Sequence, residues 1–241
     1  MTHEIYLEDS YAKECSALVT SITDSRFLVL DRTIFYPIGG GQPHDTGMII
    51  TSDNKQYEVV FCKKFGKDIS HEIIIDENHP PQIHPGDSVT CRLDWERRHM
   101  LMRLHSAAHI LSEIIYKQTD ARITGNQLDI DKARIDLDLE EFDKDKVKEY
   151  VTQANDIISK GLDITTGKIS RQDALKDKDL FSLADVAPKD IQDFRIITID
   201  GFDKKACGGT HVKNTKEIGM IELIRIDNKG KNNRRIYFTV R

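Results

Sequence analysis

From Glu14 to Leu93 the apolar residues come in short runs: Ala17 to Ile22, Phe27 to Leu30, Tyr57 to Phe61, Ile73 to Ile75 and Val89 to Leu93. Turn-forming residues such as Asp24-Ser25, Asp53-Asn54 and Pro85-Gly86-Asp87 part them, so each run reads as a strand. Little helical periodicity lies between them, which favours a small β-barrel over a βαβ unit. The pattern changes at Asp94, a candidate N-cap. Beyond it Leu101, Leu104, Ala108, Leu111 and Ile115 recur every three or four residues, predicting a long amphipathic helix. Ala133, Ile135, Leu137 and Leu139 then alternate with Arg134, Asp136 and Asp138, the period of a half-buried strand. A second helix is predicted from Asp143, with Val147, Tyr150, Val151, Ala154, Ile157 and Ile158 as its apolar stripe and Gly161 as its stop. Further strands are expected near Asp163 to Ile169, Arg195 to Ile199, Ile218 to Ile226 and Ile236 to Val240. The expected fold has two domains: a β-barrel over residues 1–93 and an α+β domain with a mainly antiparallel sheet over residues 94–241.

Composition agrees with this and narrows the setting. A chain of 241 residues has room for two cores, and 39% hydrophobic with 31% charged residues is ordinary globular usage. No apolar run is long enough to cross a bilayer, and the start Met1-Thr2-His3-Glu4 is not of signal-peptide type, so a cytoplasmic protein without membrane contact is expected. Cys15, Cys62, Cys91 and Cys207 are scattered with no C-x-x-C pair, which argues against a disulfide framework and a Cys-only zinc ribbon. The first three read as buried strand thiols. A net charge of −5 gives no global signal for a nucleic-acid partner, so any RNA contact has to come from local clusters. Two exist: Arg92, Arg97, Arg98 and Arg103, and then Lys229, Lys231, Arg234 and Arg235. Such clusters also occur on plain solvated faces, so charge leaves the partner open.

Chemistry concentrates in two places. His105-Ser106-Ala107-Ala108-His109 puts two imidazoles four residues apart on one helix face, where both can reach one ion. Ser rather than Glu at position 106 removes the built-in base of a metalloprotease motif. Cys207-Gly208-Gly209-Thr210-His211 adds a thiol and a third imidazole across two glycines that allow a tight loop. Together these make a Cys-His₃ set suited to tetrahedral Zn²⁺. If all four bind, the ion orients a substrate end; if one stands off, a position opens for water. Tyr36-Pro37-Ile38-Gly39-Gly40-Gly41-Gln42-Pro43-His44-Asp45-Thr46-Gly47 packs glycines, an amide and a carboxylate into one loop that could approach a ligand closely or be an ordinary turn. It lacks the strand-to-helix setting of a phosphate loop.

These residues together resemble the alanyl-tRNA editing proteins, the AlaX family, and the related editing region of alanyl-tRNA synthetase. The likeness extends to Leu30-Asp31-Arg32-Thr33, Asp94-Trp95-Glu96-Arg97-Arg98 and Arg134-Ile135-Asp136, and so covers nearly the whole chain. It implies a translation-factor-like barrel followed by an α+β editing domain in which His105, His109, Cys207 and His211 hold one Zn²⁺. The implied activity is hydrolysis of mischarged Ser-tRNA(Ala), with Gly-tRNA(Ala) as a second substrate, and with no DNA partner. The end of the chain soon after Arg234-Arg235-Ile236-Tyr237 is what the mid-length, stand-alone form would have. Two positions bear on the match: Ala108 stands where many synthetase editing sites have Thr, and Thr124 falls where short members carry a site threonine. Thr124, Gly40, Gly41, Gln42 and Asp45 are thereby candidate substrate contacts, and Arg97, Arg98, Arg103, Lys231, Arg234 and Arg235 candidate tRNA contacts. Threonyl-tRNA synthetases carry a similar ligand pattern, which keeps editing of another aminoacyl-tRNA as an alternative, beside a non-catalytic zinc-containing module that binds tRNA. His3, His71, His79, His84 and His99 fit no constellation and are assigned to surface or packing, and His44 has no ligand role beyond lying in the glycine loop.

Overall fold

The computed structural model describes residues 1–76, 78–139, 143–181, 192–230 and 233–241. The chain divides into two units, Met1–Met100 and Leu101–Arg241, each taken here on its own.

In the first unit the elements run β1 (His3–Glu4), α1 (Ile5–Glu8), β2 (Glu14–Thr23), β3 (Phe27–Leu30), β4 (Arg32–Thr33), β5 (Gly47–Thr51), β6 (Gln56–Phe65), β7 (Asp68–Ile73) and β8 (Ser88–Leu93). β1 pairs parallel with β4, and the other six strands close in the order β2-β3-β7-β6-β5-β8 into a barrel with antiparallel neighbours. Alternation decides which side chains fill it: Val89, Cys91 and Leu93 of β8 are buried while Ser88 and Arg92 are exposed. Leu28, Ile49, Val59, Ile69 and Phe35 complete the interior.

The largest fully buried side chain is a charged one, Arg98. Its guanidinium meets the equally buried Asp45 carboxylate, with Nε 3.0 Å from both oxygens. It also donates to the carbonyls of Ser10 at 2.9 Å and Ile34 at 2.6 Å. Asp45 accepts the Tyr36 N–H at 2.6 Å, so the pair ties the glycine loop to the barrel core. The glycines themselves make a tight turn in which Gly39 and Gln42 exchange backbone hydrogen bonds of 3.1 and 2.9 Å. Gly40 (φ +58°) and Gly41 (φ +84°) occupy its centre, a conformation residues with a Cβ rarely adopt.

Helix α2 (Trp95–Thr119) starts at the expected cap, the Asp94 carboxylate accepting the Arg97 N–H at 3.2 Å. In the second unit there follow β9 (Ile123–Leu128), β10 (Ala133–Leu137), α3 (Lys144–Ser159), β11 (Ile164–Ser170), α4 (Arg171–Ala174), β12 (Asp193–Ile199), β13 (Asp203–Ala206), β14 (Ile221–Asn228) and β15 (Arg234–Val240). Two antiparallel sheets result, β14-β15-β10-β9 and β11-β12-β13. The second unit is thus of the α+β class, with antiparallel sheets as its alternation and segregated helices predict. Helix α3 is capped by Asp143, which accepts the Asp145 N–H at 2.9 Å, and Gly161 follows its end at φ +69°. Its Asn155 is clamped to β14: the amide donates to the Ile221 carbonyl at 3.0 Å and accepts the Ile221 N–H at 2.8 Å. Among the described residues no helix is long and apolar enough to cross a membrane.

Candidate metal centre

The second unit brings the four spaced residues to one point. His105 and His109 leave the same face of α2 with ring centroids 5.2 Å apart. Cys207 comes just after β13, where its N–H still bonds the Arg195 carbonyl of β12 at 3.0 Å. Two glycines let the chain fold back, and Arg195 holds that fold by donating from Nη1 to the carbonyls of Cys207 at 3.0 Å and Gly209 at 2.7 Å. The loop delivers His211 with its ring 4.2 Å from that of His105 and 4.8 Å from that of His109, centroid to centroid. Cys207 Sγ lies 3.6 Å from His105 Nε2 and 3.4 Å from His211 Nε2, and one ligand atom from each of the four residues falls within 4.8 Å of the others.

These separations suit a metal. Tetrahedral zinc with bonds of roughly 2.0 to 2.3 Å spaces its ligand atoms about 3.3 to 3.7 Å apart. Nitrogen and sulfur donors are also the set zinc prefers. The electrostatics agree. Burial by itself would raise the Cys207 thiol, but the imidazoles of His105, His211 and His109 around it hold it well below the usual thiol value, favouring the thiolate that binds metal. Burial, with His105 beside it, pulls His211 down to about 3 and keeps it neutral, as a ligand must be. His109 goes the other way, to about 10: burial opposes its charge, but Asp203 and Cys207 outweigh it. His109 must therefore release a proton when a metal binds, whereas Cys207 and His211 already favour their ligand forms.

Behind the donors stand groups the spacing of His and Cys does not announce. Ser106, fully buried between the two helix histidines, has Oγ 3.1 Å from His211 Nδ1 and accepts the Val212 N–H at 3.3 Å. Asp203, at the start of β13, puts Oδ2 3.7 Å from His109 Nδ1. Lys205 bridges Asp203 Oδ1 at 3.2 Å and Glu113 Oε2 at 2.8 Å, so three buried charged groups support one another. Signals for them exist in hindsight. Glu113 follows His109 by one helical turn, and Asp203 and Lys205 alternate toward one face of a short strand that leads into Cys207.

The other candidates are placed as follows. Thr124 is exposed on β9. Gly40 and Gly41 form the tight turn, Gln42 beside them is buried, and Asp45 and Arg98 are consumed by each other inside the first unit. Arg97 is half-buried and donates to the His44 carbonyl at 3.1 and 3.0 Å. Arg103 is half-buried and donates to the Ile218 carbonyl at 3.0 Å. Arg234 is buried, bonding the Gly230 carbonyl at 2.6 Å and Asn228 at 3.0 Å, whereas Arg235 is half-buried against Asp136 at 2.6 and 2.9 Å. Lys231 lies outside the described residues.

Comparison with known proteins gives concordant findings. Residues 194–237 match the family described as threonyl and alanyl tRNA synthetase second additional domain, and residues 7–97 that described as tRNA synthetases class II (A). The chain is 46% identical over 242 residues to the alanyl-tRNA editing protein AlaX-M of Methanosarcina barkeri, covering 100% of this chain and 99% of that protein. The AlaX-M of Saccharolobus solfataricus is 38% identical over 242 residues, covering all of both chains. The alanine–tRNA ligase of Pyrococcus furiosus is 34% identical over 231 residues, which are 94% of this chain and 24% of the ligase.

Proposed function

Because the chain belongs to the AlaX-M family of alanyl-tRNA editing proteins, we propose that it is a zinc-dependent hydrolase that removes serine, and secondarily glycine, from mischarged tRNA(Ala) in the cytoplasm. The observation that carries this reading is the convergence of His105, His109, Cys207 and His211 within 4.8 Å. In this reading residues 1–93 are a translation-factor-like barrel domain and residues 94–241 the editing domain.

Hydrolysis breaks the ester between the amino acid and the terminal ribose: water supplies the hydroxyl of the released acid, and the ribose oxygen takes the proton. Zinc held by the four donors would orient the ester end, and its Lewis acidity would reach the ester only if one donor gave up its place. The chain's own residues make that end's surroundings rigid. Cys207 contributes a negative sulfur, Arg195 fixes the loop that carries it, and helix α2 holds His105 and His109 in register. Of the six candidate tRNA contacts, Arg97, Arg103 and Arg235 are half-buried and keep some surface for RNA phosphates. Glycines at 40 and 41 shape a tight turn closed by two backbone hydrogen bonds between Gly39 and Gln42.

The need for such an activity follows from binding limits. A pocket for alanine discriminates against a ligand one methylene different by only about 1 to 3 kcal/mol, and serine merely adds a hydroxyl. A hydrolytic site that hydrogen-bonds that hydroxyl rejects alanine by up to about 10⁴ to 10⁵, because alanine leaves the partner unpaired. Thr124, Gln42 and Asp45 are the candidates for this partner, and the role is given to Thr124 because it is exposed on β9 while Gln42 and Asp45 are buried.

The test is hydrolysis of Ser-, Gly- and Ala-charged tRNA(Ala) by wild type and Cys207→Ala, with zinc content determined on the same samples. Serine release lost together with zinc supports the reading. Activity that survives without zinc removes the ion from catalysis. A wild type that binds tRNA without releasing serine is a binding module.

A further inference from the structure

An imidazole binds a metal through one nitrogen only when the other carries the ring proton, and which one does is set by the partner of the second nitrogen. In this protein His211 and His109 have such a partner behind them. His211 turns Nε2 toward Cys207 Sγ at 3.4 Å and leaves Nδ1 facing Ser106 Oγ at 3.1 Å. Ser106 Oγ also receives the Val212 N–H at 3.3 Å, which leaves it one further lone pair to accept from His211 Nδ1 and ties the helix to the backbone next to the ligand. His109 has Nδ1 toward Asp203 Oδ2 at 3.7 Å. At that distance the contact is electrostatic, and an ionised carboxylate facing Nδ1 favours the ring proton there, leaving Nε2 free. Asp203 is in turn held by Lys205 at 3.2 Å, and Lys205 by Glu113 at 2.8 Å, all three buried. A buried cluster of charges with no task beyond stability would be dispensable for its cost; this one ends on the imidazole that completes the donor set.

We infer that Ser106 and Asp203 are the positioning residues of the metal centre, Ser106 fixing His211 and Asp203 fixing His109 as Nε2 ligands. The inference rests on the metal reading given above and adds that the site is prearranged from outside its donor shell. Neither residue touches substrate. Both act through an imidazole, so their loss registers in metal affinity even with no tRNA present.

The experiment measures Zn²⁺ affinity by chelator competition for wild type, Ser106→Ala and Asp203→Asn, with thermal unfolding of the metal-free proteins as a control on folding. Tautomers of the zinc-bound proteins are read from ¹⁵N-histidine NMR. Outer partners of metal-bound histidines are typically worth roughly 10- to 100-fold in affinity. Each variant is expected to keep one ion per chain and to lose affinity in that range while unfolding cooperatively. Wild type is expected to show protons on Nδ1 of His109 and His211. Asp203→Asn, which retains an acceptor oxygen, should lose less than Asp203→Ala. Affinity within threefold of wild type in both Ser106→Ala and Asp203→Asn, or coordination through Nδ1 in the wild type, overturns the assignment and leaves the editing reading intact. A wild type that takes up no zinc overturns both, while a zinc-binding wild type that hydrolyses no mischarged tRNA sinks only the editing reading.

Discussion

Asp45 lies in the glycine loop that the sequence marks for substrate, yet its carboxylate is fully buried against Arg98, so Asp45→Asn separates a structural from a substrate role. The carboxylate accepts from Arg98 through both oxygens and from the Tyr36 N–H. An asparagine of the same shape has one acceptor oxygen and an NH₂ that donates. Whichever way it turns, it sets a donor against a donor and leaves the Arg98 guanidinium buried without its counter-charge. Removing one partner of a buried pair costs about 3 to 5 kcal/mol, a large share of the roughly 5 to 15 kcal/mol by which domains are stable. The assay is urea unfolding followed by fluorescence of the chain's single tryptophan, Trp95, which packs partly buried against the core of the first unit. The unfolding free energy extrapolated to water should fall by that amount, and the midpoint with it. Asp45→Asn combined with Arg98→Met should lose less than the two single losses added, because the orphaned charge goes with its partner. Hydrolysis per folded molecule should stay near wild type. A variant with the wild-type unfolding curve and tenfold slower serine release would refute this reasoning and return Asp45 to the substrate.

Two further outcomes follow from single side chains. His71 is fully buried, with its nitrogens 2.8 Å from Thr33 Oγ1 and 3.1 Å from the Leu28 carbonyl, and burial pulls it down to about 4 from an unfolded value of 6.5. The unfolded chain then binds the extra proton below pH 6.5, so stability is full above that pH and falls by about 3 kcal/mol as pH drops to 4. Urea midpoints of His71→Gln should lack this share of the acid loss, and a slope identical to wild type between pH 6.5 and 4 counts against it. Thr124→Ala, exposed on β9, should leave stability within about 0.5 kcal/mol and narrow the serine-over-alanine ratio in deacylation; an unchanged ratio removes Thr124 from the selectivity site.

Much of the fold is legible because periodicity and caps act locally. Phe27 to Leu30 is the strand the sequence predicts, residue for residue, and Asp94 and Asp143 both accept the N–H groups an N-cap should. Sequence reasoning missed β5 despite its local run Met48-Ile49-Ile50, and it missed β9 and β13 because their reason lies elsewhere in the chain. β9 reads Ile-Thr-Gly-Asn-Gln-Leu, with no apolar alternation and a glycine at its centre. It is a strand because β10, itself paired with β15 on its other edge, lies beside it, and Gly125 faces Asp136 so closely that a Cβ there would lie 3.1 Å from Oδ2. That space is what Asp136 uses to hold Arg134 and Arg235. β13 reads Asp-Lys-Lys-Ala, which hydropathy scores as loop, yet Asp203 and Lys205 are buried through their contacts with each other and with Glu113.

The candidate site divides along the same line. A helix fixes the spacing of His105 and His109, and two glycines fix the return from Cys207 to His211, so the donor set is visible in any reading of the chain. Spacing cannot tell a metal centre from a chance pair of helix histidines, because both give the same letters. What distinguishes them is burial of polar groups that have no use without the donors. Chance histidines on a helix face water, and nothing is selected to lie behind them. Here a buried serine hydrogen-bonds His211 and a buried carboxylate stands 3.7 Å behind His109, its desolvation offset by that imidazole and by Lys205. Ser106 is therefore informative for the reason it first looked like a loss: the position that would carry a metalloprotease base instead carries a small hydroxyl that fits inside the helix packing and reaches a ligand.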